Sequence, residues 1–140
     1  MTQTPPDHHI AIIGMGCIFP ESSNLQEYWH LLLNGVDAIQ DIPEETHWKP
    51  EDYFDKDPAT PDHTYCTRGG FIPKTGFNPL DYGIPPNNLE ATDTSQLLGL
   101  ETARMALEDA GYPPDHPALK DGRVNVILGV TGTQELVIPL

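Results

Sequence analysis

The sequence is poor in cysteine, in basic residues and in long hydrophobic runs. Its 140 residues include two cysteines, and 7 lysines and arginines against 21 acidic residues give a formal net charge of −14. A surface of this sign repels phosphate backbones, which argues against nucleic-acid binding. Without a run of about 20 apolar residues, no membrane-spanning helix is expected. Two cysteines without a secretory signal indicate free thiols rather than a disulfide.

The first nine residues, MTQTPPDHH, carry neither the basic nor the apolar region of a signal peptide. We therefore interpret residues 1–9 as a polar lead-in and predict a cytoplasmic protein. Hydrophobic residues make up 38% and charged residues 20% of the chain, as in an ordinary folded domain. The acidic residues are scattered, which is typical of a solvated surface; an acidic patch for a basic partner is the alternative.

Hydrophobic periodicity predicts an α/β fold. A first strand at Ile10–Ile13 precedes an amphipathic helix over residues 24–34, capped by Ser23 or Asn24 and closed by Gly35. A second helix over residues 94–110 carries one polar stripe, Glu101, Arg104 and Glu108, and is otherwise so apolar that we expect it to be mostly buried. A second strand at Val124–Val130 is apolar on both faces, as in the middle of a parallel sheet.

Residues 36–92 are interrupted by prolines, so long regular elements cannot persist there. Short helical turns are predicted at Pro50–Phe54 and Pro86–Ala91, and a brief strand at Gly69–Ile72. Aromatic side chains recur along the stretch, which favours a loop region packed onto a body over a free linker.

No residue pattern predicts a nucleophile or a metal site. Cys17 follows a strand rather than starting a helix and is interpreted as a packed thiol; Cys66, near Arg68, gives a weak thiolate signal. Ser22, Ser23 and Ser95 lack the Gly-x-Ser-x-Gly setting. Asp55 and Asp57 open like a calcium loop that lacks its glycine, and His63 with Cys66 has zinc-like spacing without a second pair. The remaining histidines are scattered: His8, His9, His30, His47 and His116.

An ordered set of short motifs resembles that of β-ketoacyl synthase (ketosynthase) domains of polyketide and polyunsaturated-fatty-acid synthases. The opening run Ile10–Pro20 breaks at two glycines and reaches Pro20, where a dinucleotide-binding turn would need a third glycine and a helix. The other motifs are Tyr28-Trp29 with Asn34–Ile39, Gly69–Ile72, Gly76-Phe77, Tyr82–Pro86, Gln96–Gly111 and Val130–Gln134.

Two details refine this resemblance. The wording of Asn88–Asp93 and of Thr133–Leu136 is closest to the polyunsaturated-fatty-acid synthases. Many ketosynthases carry Met-Asp-Pro-Gln-Gln before the long helix, whereas Thr92–Gln96 keeps only the aspartate and the last glutamine. This departure sets the chain apart from the modular polyketide enzymes but not from the superfamily.

The resemblance implies the N-terminal part of a thiolase-like layered α/β fold, incomplete, with residues 10–140 as a partial ketosynthase N-terminal domain. In the family, a cysteine at a helix N-terminus takes an acyl chain, and two histidines assist decarboxylative condensation with a malonyl unit. These residues lie downstream of the segment matched by Val130–Gln134. We therefore assign no catalytic, cofactor-binding or metal-binding residue to this chain and expect it to be inactive alone.

The implied partners are acyl carrier protein, whose phosphopantetheine arm delivers the substrates, and the rest of the ketosynthase domain, in a homodimer. No directly bound cofactor is expected. Two other functions stay open at this point. One is a self-contained, non-enzymatic interaction or scaffold module; the other is a small thiol or redox protein that uses Cys66.

Overall fold

The computed structural model describes residues 10–43, 50–120 and 122–131. The lead-in 1–9, the acidic pair Glu44-Glu45, His47, Trp48 and the Thr133–Leu136 motif lie outside these residues, so the predictions made for them stay predictions. The described residues form two compact units. One consists of Cys17–Phe77, and the other combines residues 10–16 with residues from Asn78 onward.

Helix α1, Leu25–Asn34, organises the unit Cys17–Phe77. Its N-cap is Asn24, whose side chain accepts the Glu27 N–H at 2.9 Å, while the Glu27 carboxylate accepts the Ser23 N–H at 2.7 Å. Of the two predicted capping pairs, the sequence therefore uses Asn24 with Glu27. The helix closes at Gly35, which takes the left-handed φ of 59° expected of a C-cap glycine. The predicted helix and both its ends are confirmed.

A tight turn leads into α1. The Phe19 and Ser22 backbones exchange two hydrogen bonds of 2.9 Å, with Pro20 and Glu21 between them. Because proline fixes a negative φ at the first central position and Glu21 has a φ of 57°, the turn is type II. The Phe19 ring packs on Tyr28 with centroids 4.3 Å apart. Ser22 is fully buried beneath this turn.

Two short strands form the only sheet among the described residues. β1, Gln40–Asp41, pairs antiparallel with β2, Arg68–Gly69, and the Arg68 guanidinium donates to the Ile39 carbonyl at 2.6 Å. Gly70 follows β2 and lies under the turn, since a Cβ there would meet Pro20 Cγ at 2.7 Å. The strand predicted at Gly69–Ile72 is thus present one residue earlier and is shorter. Helix α2, Pro50–Tyr53, confirms the helical turn predicted there.

The other unit is built on helix α3, Thr94–Asp109. Asp93 caps it by accepting the Ser95 N–H at 2.8 Å, which confirms the predicted start. Two 3₁₀-helices precede it, Pro79–Tyr82 and Pro86–Ala91, and the second has the predicted bounds. A short helix α4 follows at Pro117–Lys120. Within the described residues, no helix is both long and apolar enough to cross a membrane.

Two glycines bring residues 10–16 into backbone contact with α3. A Cβ on Gly14 would lie 2.4 Å from the Ala106 carbonyl oxygen, and one on Gly16 would lie 2.7 Å from that of Thr102. The Met15 N–H between them donates to the Asp109 carboxylate at 2.9 Å. Side chains larger than hydrogen therefore cannot occupy positions 14 and 16 without moving the helix.

The two predicted main strands are not hydrogen-bonded as strands. Within the described residues, no ladder joins Ile10–Ile13 or Val124–Val130 to another segment, and their side chains are exposed, up to 96% at Ile10 and 94% at Ile127. The physical reason is that a strand requires a neighbour, and no described segment supplies one. The predicted burial of the long helix is wrong for the same reason: Glu101 is its only buried residue, and its apolar face is half-covered.

We predict that Glu21→Gly stabilises the chain by about 0.5–1 kcal/mol. A glutamate in the left-handed region costs about 1–2 kcal/mol, part of which glycine returns through its larger unfolded-state entropy. Denaturant unfolding monitored by circular dichroism measures the change. Asp62, with a φ of 58°, is the matched control, since aspartate tolerates this conformation better and Asp62→Gly should gain less. A loss of stability in Glu21→Gly would contradict the turn assignment.

We predict that Gly16→Ala destabilises the unit built on α3 by about 1–3 kcal/mol, because the added methyl meets backbone atoms that cannot rotate away. Gly129→Ala is the control, since a Cβ at that position meets nothing within 4 Å. The free energies of unfolding of both variants should be compared with that of the parent chain. Equal effects at the two positions would show that the contact with α3 is not tight in solution.

Candidate functional site

A groove of about 500 Å³ runs along one face of α3. Helix α3, the loop after the first 3₁₀-helix and the segment around Val126 all contribute to it. The residues that line it are Gly83, Ile84, Pro85, Asn88, Thr92, Gln96, Gly99, Leu100, Ala103, Val126 and Leu128. We call this feature the α3 groove.

Small residues on α3 create the space. Gly99 lacks a side chain, and a Cβ built there would meet only Leu128 Cδ1, at 3.5 Å. Val126 and Leu128 both line the groove, while Ile127 between them is almost fully exposed. This two-residue alternation is that of an extended chain. The groove has no charged lining residue, so it suits an uncharged apolar occupant and offers no acid, base or nucleophile.

A cluster of polar side chains lies on another face of α3. The Glu101 carboxylate accepts hydrogen bonds from the Tyr82 hydroxyl and from Arg104, which approaches with Nη2 and, more distantly, Nε. Arg104 also donates from Nε to the Tyr82 oxygen at 3.0 Å and from Nη1 to Glu108 at 2.7 Å. The pairing of Arg104 with Glu101 and Glu108 follows from the predicted polar stripe. Tyr82, 19 residues away, has no sequence signal that would have revealed it.

The protonation states in this cluster follow from its contacts. The hydrogen bond from Arg104 lowers the pKa of Glu101, against the opposing effect of burial. Burial raises the pKa of Tyr82, and its hydrogen bond to Glu101 raises it further. At neutral pH the cluster therefore holds an ionised carboxylate, a neutral phenol and a guanidinium. This is a stable structural ion pair rather than a poised proton donor or acceptor.

The cluster also fixes one edge of the α3 groove. Tyr82 is the last residue of the first 3₁₀-helix, and Gly83, Ile84 and Pro85 of the groove follow it directly. By holding Tyr82, Glu101 and Arg104 tie this loop to the middle of α3. They act on the groove through the loop and do not line it.

The two thiols lie in different environments. Cys17 is buried, and burial raises its pKa, which disfavours the reactive thiolate. Cys66 is exposed, and its sulfur accepts the Arg68 N–H at 3.4 Å. Among the described residues, neither thiol hydrogen-bonds to a histidine or a carboxylate that could serve as its base.

The candidate metal ligands are engaged elsewhere. Asp55 and Asp57 accept backbone N–H groups within their own loop at 2.9 and 3.0 Å, and the first of these bonds lowers the pKa of Asp55. The His63 ring bonds to the Pro61 carbonyl at 2.8 Å rather than approaching Cys66. In the part of the chain that the structure describes, no three His, Cys, Asp or Glu side chains come together as a metal ion would require.

We predict that Arg104→Met destabilises the chain by about 1–3 kcal/mol at neutral pH, because it leaves the buried Glu101 charge unpaired. The folded-state pKa of Glu101 is lowered, so the stabilisation is complete above its unfolded pKa of about 4.3 and disappears as the pH falls through the folded value. The difference between parent and variant should therefore shrink below about pH 4. Unfolding midpoints between about pH 3 and 8 measure it.

Glu108→Gln is the control for this prediction. It removes the more exposed partner of Arg104 and leaves Glu101 paired, so its cost should stay below about 1 kcal/mol. Equal costs for the two variants, or a cost for Arg104→Met that does not change with pH, would contradict the assigned role of Glu101.

Comparison with known proteins assigns these features to a family. Residues 7–137 match the family profile "Beta-ketoacyl synthase, N-terminal domain". The pikromycin polyketide synthase component PikAII of Streptomyces venezuelae is 38% identical over 128 residues, 90% of this chain and 3% of that protein. One polyunsaturated fatty acid synthase polypeptide, from a Thraustochytrium species, is 34% identical over 129 residues, 92% of this chain and 4% of that protein. The chain thus spans a small part of these relatives.

Solved structures show the same relationship. The oxazolomycin ketosynthase domain OzmH KS7 of Streptomyces albus aligns with a TM-score of 0.64 at 28% identity, over 70% of this chain and 17% of that one. The ketosynthase from module 6 of the bacillaene synthase of Bacillus subtilis aligns with a TM-score of 0.61 at 35% identity, over 73% and 17%. These alignments confirm the thiolase-like α/β fold class, present here in part. The chain belongs to the β-ketoacyl synthase family and corresponds to part of its N-terminal domain.

Proposed function

We propose that this chain supplies the N-terminal segment of a β-ketoacyl-[acyl-carrier-protein] synthase, which condenses acyl and malonyl thioesters with loss of carbon dioxide in fatty acid or polyketide biosynthesis. The observation that carries the proposal is the family match over residues 7–137. The partners are acyl carrier protein, which presents its substrates on phosphopantetheine, and the rest of the ketosynthase domain in a cytoplasmic homodimer.

In this proposal the chain contributes framework rather than chemistry. An acyl-accepting thiol must be accessible and largely ionised, and a helix N-terminus or a neighbouring histidine supplies that activation. Cys17 is buried with a raised pKa, and the Cys66 sulfur bonds to the backbone of Arg68. These environments support the assignment of the catalytic cysteine and histidines to polypeptide outside this chain.

The structure favours this proposal over the two alternatives. A self-contained scaffold module would cover its own apolar residues, whereas Ile10, Ile12, Val126 and Ile127 are largely exposed. A redox protein based on Cys66 would need a resolving thiol, and the other cysteine of the chain, Cys17, is buried.

We predict that the purified 140-residue chain, incubated with an acyl-carrier thioester, gains no covalent acyl group. Intact-mass spectrometry measures the outcome, and the intact bacillaene module 6 ketosynthase is the positive control. Cys17→Ser and Cys66→Ser would locate any modification. Stoichiometric acylation at either cysteine would overturn the assignment of the nucleophile to another part of the domain.

A chimera tests the framework role directly. In it, this chain replaces the matching N-terminal segment of the bacillaene module 6 ketosynthase. We expect the chimera to form the parent's oligomer and to accept an acyl group at a rate within about 100-fold of the parent rate, since the segment carries no catalytic residue. A chimera with the parent's circular dichroism and oligomeric state but no acyl transfer would contradict the proposed function.

A further inference from the structure

We propose that the α3 groove, together with residues 124–130, is a docking face for an aliphatic β-strand from the remainder of the ketosynthase domain. This inference rests on the proposed function and adds to it the surface used and the kind of element received.

The backbone of residues 124–130 is available for pairing. Among the described residues, none joins this segment by a backbone hydrogen bond. Its side chains alternate, with Val126 and Leu128 lining the groove and Ile127 on the opposite side. An extended segment with free N–H and C=O groups is a template for strand addition, in which main-chain hydrogen bonds give affinity and side-chain pockets give specificity.

The groove beside this segment selects an aliphatic occupant. The chain carries a net charge of −14, yet no charged residue lines the groove. Its polar side chains are those of Asn88, Thr92 and Gln96. A volume of about 500 Å³ next to Gly99 accommodates more than one aliphatic side chain. An anionic or strongly polar ligand would lose its hydration there without an ionic partner.

The comparisons identify the source of the strand. The chain aligns with 17% of each solved ketosynthase, so most of the polypeptide of those domains lies outside the match. The two-sided apolar pattern of residues 124–130 is typical of a strand enclosed within a sheet. A strand from that polypeptide satisfies both the backbone groups and the groove. A second copy of this chain and a free acyl chain are the competing occupants.

Hydrogen exchange measured by mass spectrometry tests the inference on the free chain and on the chimera. In the free chain, amides of residues 124–130 should exchange rapidly. In the chimera they should exchange at least about 100-fold more slowly. Leu128→Asp should restore rapid exchange in the chimera, whereas Leu80→Asp should not. Leu80 is the matched control because it is 67% exposed, against 62% for Leu128, and does not line the groove.

Each other outcome overturns a specific part of the inference. Protection in the free chain that grows with its concentration would assign the face to a second copy, and protection induced by decanoyl thioester would assign the groove to an acyl chain. An active chimera with rapidly exchanging 124–130 amides would reject the docking face and leave the proposed function intact. A protected but inactive chimera would do the reverse. Co-expressing the two pieces as separate chains repeats the measurement without the covalent link.

Discussion

The close approach of residues 10–16 to α3 is the contact on which the unit containing α3 depends. At Gly14 and Gly16 the backbone lies against the backbone of the helix, at distances that leave no room for a Cβ. The helix contributes small side chains to the same contact, Ala106 and Ala110. Dispersion attraction falls steeply with separation, so a contact between backbones packs more atoms within range than one spaced by long side chains. The Met15–Asp109 hydrogen bond then fixes the register.

Helix α3 serves three neighbours on three faces. Gly14 and Gly16 occupy the face of Thr102 and Ala106, the α3 groove occupies that of Gly99 and Ala103, and the polar cluster begins at Glu101. This division explains why the helix includes a glycine and other small residues at the cost of intrinsic helix stability. The helix is held by its contacts rather than by its propensity. Its Asp93 cap and the ion pairs of Arg104 offset part of that cost.

Local features of the fold were predictable from the sequence, and features that depend on distant partners were not. The Asn24 cap, the Gly35 C-cap, the Asp93 start of α3 and the 3₁₀-helix at Pro86–Ala91 each depend on residues within one or two turns. The pairing of Gln40–Asp41 with Arg68–Gly69 joins distant positions, and its two-residue strands are too short to show an alternating pattern. The 3₁₀-helix at Pro79–Tyr82 was missed although Asn78 caps it, because its run of four residues carries no periodicity.

The candidate site divides in the same way. The polar stripe of α3 predicted the pairs of Arg104 with Glu101 and Glu108, since these residues lie three and four positions apart. The stripe was expected to be the polar face of the helix, yet Glu101 is its buried residue, because Tyr82 covers it from outside the helix. The α3 groove could not be predicted at all. Its walls come from three parts of the chain, and Gly99 marks it only once Leu128 is known to lie opposite.

The exposed apolar segments and the inert thiols lead to one conclusion about where the chemistry lies. A residue that activates a thiol must be held within about 3 Å of it, which demands a rigid and enclosed setting. Here the apolar side chains of residues 124–130 are uncovered, so the surface that would be enclosed by a sheet is still open. A framework in this condition can position a strand but cannot exclude water from a reacting thioester. Burial of that surface therefore has to accompany assembly of the catalytic residues, which links the fold of this segment to the activity of the domain.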